Sequence, residues 1–363
     1  MDDTRQADFA GGTAAFVMAH WLTDDDLAVR HLDEAVRSVV GQTDPNWVLI
    51  IVDDCSKRQA TLEHLKWIGG QLGEKAQIIY SPEHIGPGQA RNAGIRAAAE
   101  RNAPFVLFLD DDDRADPRRL ELTREAFLRV PDANVVYTAF DVIDENSEIV
   151  PPERVCSSVR EIMDGLRTSA VEGEDAWIRI AAERNYVNLP SCTAVRTELA
   201  LQEPFPQGTV SEDAHTWLRY AAHPGKFIFL GEIRNQYRIR SGTDSRARSM
   251  NASFYAQKAA MDSDGFEKAA EISKRFGRLD PAEEERIRAR FYARLALSML
   301  RGGDLRETAA CMSKAAAVLP DTAEKAVLTL DAAEGEKETL LGMLEGRMPG
   351  TDAENPPGRG QGC

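Results

Sequence analysis

An α/β fold followed by an α-helical appendage is expected from three observations. Short, wholly apolar runs such as Val48-Leu49-Ile50-Ile51-Val52 and Phe105-Val106-Leu107-Phe108-Leu109 recur between residues 14 and 140, as buried parallel strands require. Amphipathic stretches of helical length separate these runs, which is the pattern of βαβ crossovers. Beyond about Met250 the strand-like runs vanish, and Ala, Glu, Leu and Arg recur at helical spacing.

Taken in order, strands are expected at Ala14–Ala19, Trp47–Val52, Ala76–Tyr80, Phe105–Leu109 and Val135–Phe140. The intervening helices are expected at Leu27–Val40, Ala60–Leu72, Gly88–Arg101 and Pro117–Val130, the last opened by Asp116-Pro117. Asn146 to Ser169 lacks a strong period and contains Pro151-Pro152, so a crossing loop is expected there. Helices at Glu174–Asn185 and Glu212–Ala222 and a strand at Lys226–Leu230 follow. Four helices then fit residues 251–276, 281–301, 304–318 and 321–345, punctuated by Gly302-Gly303 and Pro320. Residues 281–318 have the helix-turn-helix texture of one tetratricopeptide unit, but a single unit cannot stack, so a plain bundle is expected. The expected organisation is a flexible 1–13, an α/β domain over 14–248, a helical domain over 249–348 and a disordered, Gly- and Pro-rich tail over 349–363.

A chain of 363 residues accommodates two such units. Its 43% hydrophobic and 28% charged residues are those of a globular protein with a full core. A net charge of −15 argues against nucleic acid as a partner, because such binding relies on basic patches that release counterions. Five scattered cysteines without a CxxC pair suggest neither a disulfide framework nor a zinc site and fit a reducing cytoplasm. The start Met-Asp-Asp-Thr-Arg lacks an apolar signal region, and no run approaches the ~18 apolar residues of a spanning helix. A cytoplasmic location is expected, with peripheral attachment at the inner face of a membrane as a variant of it.

Chemistry is concentrated at strand ends. The apolar run ending at Leu109 leads directly into Asp110, Asp111, Asp112 and Asp113. Like charges at this spacing repel unless a cation sits among them, and hard oxygen ligands facing a diphosphate suit Mg2+ or Mn2+. The bland alternative is a solvated acidic turn before a helix. Val52 likewise leads into Asp53-Asp54-Cys55-Ser56, where Asp53 could instead cap a helix with help from Ser56. Two strand ends delivering carboxylates to one edge point to a nucleotide pocket more strongly than either does alone, since open α/β sheets bind ligands at the carboxyl ends of their strands. Between them, Gly86-Pro-Gly-Gln-Ala-Arg-Asn-Ala-Gly94 offers glycines for close backbone approach by a ligand and the forked donor Arg91. This segment is neither a dinucleotide fingerprint nor a P-loop. Further on, Glu212-Asp213 opens a helical stretch, where a general base or a plain capping segment are the two readings.

These segments, in this order, resemble the family 2 glycosyltransferases of the GT-A fold, a Rossmann-like nucleotide-sugar-binding architecture. The matching residues are Ser38 to Gln42-Thr43, Val52-Asp53-Asp54-Cys55-Ser56, Gly86 to Gly94, Leu109 to Asp113, and Glu212-Asp213 with Trp217-Leu218-Arg219. The resemblance spans roughly residues 14–245. It implies that Asp54 contacts the uracil ring, Arg91 the base or diphosphate, and Asp110 the ribose side, with Asp111 beside it. Asp112 would be the metal-binding acid and Asp213 the catalytic base, with Asp53, Asp113, Glu212 and Trp217 as accessories. Ala19 and Trp21 stand where the family has a Thr-x-Tyr-Asn-like turn, and Trp21 could stack on the base or pack under the Asp24-Asp25-Asp26 loop. Arg240 stands where many members have a His near the metal or diphosphate. Arginine cannot ligate a cation, but it can pair with diphosphate oxygens. The macrodipole at the start of the 212–222 helix would keep Asp213 ionised.

The resemblance thus implies an inverting glycosyltransferase using a nucleoside diphosphate sugar, UDP-sugar favoured, with Mn2+ or Mg2+ and a saccharide or other hydroxyl acceptor in polysaccharide biosynthesis. A sugar nucleotidyltransferase is the nearest alternative, but it calls for a Gly-rich, basic loop directly after the first strand, and none follows Met18-Ala19. A non-catalytic nucleotide-sugar-binding or scaffold protein that uses the C-terminal helices as an interaction surface is the alternative of a different class, and an oligomer through those helices is expected as a partner arrangement of either.

Overall fold

Aliphatic and aromatic strand residues build a seven-stranded mixed sheet in the computed structural model, which describes residues 9–21, 26–184, 187–239, 253–317 and 320–347. β1 (Ala14–His20), β2 (Trp47–Asp53), β3 (Ala76–Tyr80) and β4 (Phe105–Phe108) run parallel, with β2 and β4 buried at every position. Helices α1 (Asp26–Val40), α2 (Gln59–Leu72), α3 (Pro87–Glu100) and α4 (Arg119–Arg129) connect and follow them, and α5 (Ser157–Ser169), α6 (Ala176–Glu183) and α7 (Thr197–Gln202) come later in the chain. The strand order is β3-β2-β1-β4-β6-β5-β7, where β5 is Ala133–Ile143, β6 is Thr193–Arg196 and β7 is Lys226–Arg238. From β1 the chain builds outward to β3 on one side and then places β4 on the other. The order therefore reverses between β1 and β4, and this opens a crevice beyond their carboxyl ends.

Alternation along the strands separates the two faces, as a period of two requires. Phe16, Met18, Leu49, Ile51 and Leu107 pack with Leu120 and Phe127 of α4 and with Leu32 and Ala35 of α1. Val17, Ile50 and Phe108 face Ala90 and Ile95 of α3 and Trp217 and Leu218 of α8 (Glu212–Ala222). This second core continues without interruption into Phe266 of α9 (Phe254–Arg275) and into Phe291 and Tyr292 of α10 (Pro281–Arg301). α11 (Leu305–Ala316), α12 (Pro320–Leu328) and α13 (Glu334–Leu344) complete the helical region.

Four sequence expectations change. The expected loop over 146–169 contains a helix at Ser157–Ser169, whose Val159, Ile162, Met163 and Leu166 recur at helical spacing and bury against β5; the diproline masked that period. β6 was not expected at all: four residues antiparallel to both β4 and β5 carry no local pattern of their own. β7 extends past Leu230 to Arg238 through a bulge, because Gly231-Glu232 break the alternation but not the strand. The single helix expected over 321–345 is two, separated after Leu328, with Glu336 accepting from the Ala333 amide at 2.8 Å to cap the second. Among the described residues no helix is long and apolar enough to cross a membrane.

Candidate functional site

The β1–β4 crevice collects the strand-end groups. Asp110, Asp111 and Asp112 are partly exposed there, and Asp113 is fully buried. The acidic turn is held from several sides. The Asp110 amide donates to Ser191 Oγ at 2.9 Å, and the Arg238 amide donates to Asp113 Oδ1 at 2.7 Å. Arg238 Nε donates to the Asp112 carbonyl at 2.6 Å while its Nη2 reaches Glu34 of α1 at 2.8 Å. Burial, reinforced by Asp112 and Asp110, drives the Asp113 carboxyl well above its ordinary range. Its Oδ2 has no hydrogen-bond partner among the described residues. The turn that follows is fixed from α1: the Ala115 amide donates to Ser38 Oγ, and Gln42 bonds both the Asp116 carbonyl and the Leu120 amide.

Arg91, buried on α3, joins the two halves of the site. Its Nη2 donates to Asp110 Oδ1 at 2.8 Å and its Nη1 to Glu212 Oε1 at 2.9 Å. Burial opposes its charge, but Asp110 and Glu212 outweigh it and raise the pKa further. The guanidinium therefore ties the end of β4 to the start of α8. Beside it, Asp213 is partly exposed, and burial followed by the neighbouring Glu212 charge pushes its carboxyl up to about 7. The Ala214 amide donates to its Oδ1 at 2.8 Å.

On the β2 side, Asp54 is buried and accepts from the Ile85 and Gly86 amides at 2.6 and 2.8 Å, with His84 Nδ1 at 2.9 Å. The His84 ring in turn lies 4.6 Å from that of Trp21, partly exposed just past the end of β1. Trp21 and His84 thus form one flat-faced wall past the end of β1, with the buried Asp54 holding the 84–86 turn behind it. Asp53 accepts from the Ser56 amide at 3.2 Å within the turn, while the cap position of α2 belongs to Arg58.

Residues 30–186 match the sequence profile of glycosyl transferase family 2. This chain carries a family 2 glycosyltransferase domain. A Bacillus subtilis protein named for teichuronic acid biosynthesis, the glycosyltransferase TuaG, is 35% identical over 91 residues, which are 25% of this chain and 34% of that protein. The match thus spans about a third of that relative's length. The fold is that of Staphylococcus aureus TarS 1-349 solved in complex with UDP: TM-score 0.59 at 17% identity, covering 92% of this chain and 86% of that one. The mannosyltransferase PcManGT from Pyrobaculum calidifontis, solved with GDP-Man and Mn2+, aligns with TM-score 0.51 at 18% identity over 94% and 91% of the two chains.

Several expected residues sit differently from the sequence reading. The glycines of α3 admit the protein's own backbone: a Cβ at Gly88 would lie 3.0 Å from the Pro206 carbonyl oxygen and 3.2 Å from Glu212 Cγ. Arg91 faces carboxylates in place of solvent. Trp217 is buried against Phe108, Phe205 and Tyr220 and supports α8 from within the core, so it does not line the crevice. The macrodipole does not keep Asp213 at an ordinary carboxylate pKa, because burial and Glu212 prevail. Ala19 is partly buried one residue before the crevice rim. Arg240 lies outside the described residues.

Sequence reasoning missed His20, which is buried with Nδ1 2.6 Å from Asp111 Oδ2 and orients that carboxylate. It also missed His84, two residues before Gly86, and Ser191, which lies far from any motif in the sequence and meets Asp110 only in the fold. Among the described residues no group of three acids, histidines or cysteines converges on one point. Mg2+ and Mn2+ are commonly held by one or two carboxylates while substrate phosphates and water complete the shell. Asp112 and Asp110, partly exposed at the end of β4, would be the hard oxygen donors if such an ion bound here.

Proposed function

We propose that the domain transfers a sugar from a nucleoside diphosphate sugar to an acceptor hydroxyl with inversion at the anomeric carbon. The observation that carries this reading is the Asp110–Arg91–Glu212 bridge, which puts the acid-rich end of β4 and the Asp213 carboxyl on one crevice. Asp213 is the base. A carboxylate titrating near 7 can accept the hydroxyl proton and hold it at neutral pH. The acceptor oxygen bonds to the anomeric carbon as the bond to the diphosphate oxygen breaks, and the diphosphate leaves with the electron pair. With one base and attack opposite the leaving group, the configuration inverts. Asp112, with Asp110, would hold a divalent cation, whose contribution is to neutralise the departing diphosphate.

The Trp21–His84 wall gives the base a flat face, and Asp54 braces the loop that carries His84. The UDP complex of TarS and the GDP-Man and Mn2+ complex of PcManGT support a nucleoside diphosphate sugar donor with a divalent cation. UDP is the nucleotide to test first. Its thermal stabilisation of the protein should be much larger with Mn2+ than with EDTA, because ligand that binds only the folded state raises apparent stability. Equal shifts in the two conditions would overturn the cation assignment, and no shift with UDP or GDP would overturn the donor class.

A further inference from the structure

The segment before α8, itself beyond the residues that match the family 2 profile, is held by α9. Ser211, at the cap position of that helix, adopts the left-handed conformation with φ 58°, and its side chain does not cap the helix. Serine at such a position ordinarily turns its hydroxyl onto a backbone amide of the first turn. Here Lys258 Nζ of α9 lies 3.4 Å from Ser211 Oγ. Lys258 is itself buried and forms a salt bridge with Asp262 one turn along. Two more contacts join the same surfaces. A Cβ at Gly208 would lie 2.6 Å from Met261 Cε, and one at Gly265 would lie 2.9 Å from the His215 Cα. His215 Nε2 also lies 2.7 Å from Asp264 Oδ2. On one face of α9, residues 258, 261 and 265 thus touch positions 208, 211 and 215, and Asp213 lies between the last two.

We propose that α9 is a positioning element of the catalytic centre, with Lys258 the positioning residue that sets Ser211 and hence the Asp213 carboxylate. This rests on the reading of Asp213 as the base. A left-handed serine persists only where its surroundings over-determine it, and the buried Lys258 contributes to those surroundings at the Ser211 hydroxyl. Loss of that contact leaves donor contacts at β1, β2 and β4 intact and lets the carboxylate shift and hydrate.

The test uses the full chain. Lys258→Met alone would strand Asp262 as a buried charge, so Lys258→Met and Asp262→Leu are made together, with Lys258→Arg as the conservative control. The double variant should keep the donor KM within about twofold and lose about 10–100-fold in kcat, the scale of a misplaced catalytic group. The acid limb of its kcat profile should move to lower pH as Asp213 becomes better hydrated, and Lys258→Arg should restore most of the rate. Wild-type kcat and acid limb in the double variant, with only thermal stability lowered, would overturn the positioning role. If the wild-type chain shows no transfer, or Asp213→Asn turns over normally, it is the assignment of the base that fails. The brace is then read by hydrogen exchange of amides 208–216, which should speed up in the double variant; unchanged exchange would overturn the brace itself.

Discussion

Asp213 is chosen by its motif and tuned by its surroundings. Asp213→Asn keeps the size of the side chain and removes its basicity, so kcat should fall by about 10²–10⁴ with donor affinity nearly unchanged. A purified variant with wild-type turnover would remove Asp213 from the mechanism. The pH dependence has a definite sign. A carboxyl held up to about 7 is protonated, and useless as a base, below that value, so kcat should decline as pH falls through 7. Folding shows the opposite trend. The folded state binds this proton more tightly than the unfolded chain, so the group favours folding at low pH and that contribution is lost as pH rises from the ordinary carboxylate range through 7. Asp213→Asn removes the loss. Its melting temperature relative to wild type should therefore rise between pH 4 and pH 8, and a flat difference would show that Asp213 titrates normally. Glu212 is the adjacent residue, but the burial that dominates this tuning is not legible locally.

At the scale of the element, α3 shows what its glycine motif is for. Gly86 opens the helix with φ 83°, a conformation that favours glycine. Gly94 packs so tightly on β1 that a Cβ there would lie 2.4 Å from Val17 Cγ1. Asn92 exchanges two bonds with the backbone of Phe205, at 2.9 and 2.8 Å, and docks the 205–212 segment on the helix. The two inner glycines should therefore differ in their substitutions. Gly94→Ala should lower stability by about 1–3 kcal/mol in denaturant melts, the usual cost of overpacking, with kcat per folded molecule preserved. Gly88→Ala presses on Pro206 and Glu212 and should lower kcat more than it lowers stability. Equal effects of the two on both quantities would show that the segments do not divide in this way. The Ser38, Gln42 and Thr43 motif has a similar use: from the end of α1 it holds residues 115–121, beyond the acidic turn.

For the whole molecule, the helical region and the sheet share one core. Phe266, Ala269 and Tyr292 belong to the same buried cluster as Trp177, Trp217 and Phe108. A chain ended before Phe254 would expose the α8 face and should fail to unfold cooperatively in thermal melts, binding a hydrophobic dye instead. A sharp transition with UDP stabilisation in that truncated chain would show that the α/β part is self-sufficient.

The sequence by itself determined the crossover architecture, the strand ends that carry Asp54 and the Asp110 to Asp113 turn, and the helix that begins at Glu212, because apolar runs and helical periods are local properties. Tertiary structure alone decided how those segments meet. Arg91 and Glu212 are 121 residues apart, and His20 and Asp111 are 91 apart, so no local pattern pairs them. β6 is a strand because β4 and β5 flank it, and the acidity of Asp213 follows from what buries it. Which groups a side chain meets, and how much water reaches it, are set by long-range packing of surfaces that the chain brings together only once folded.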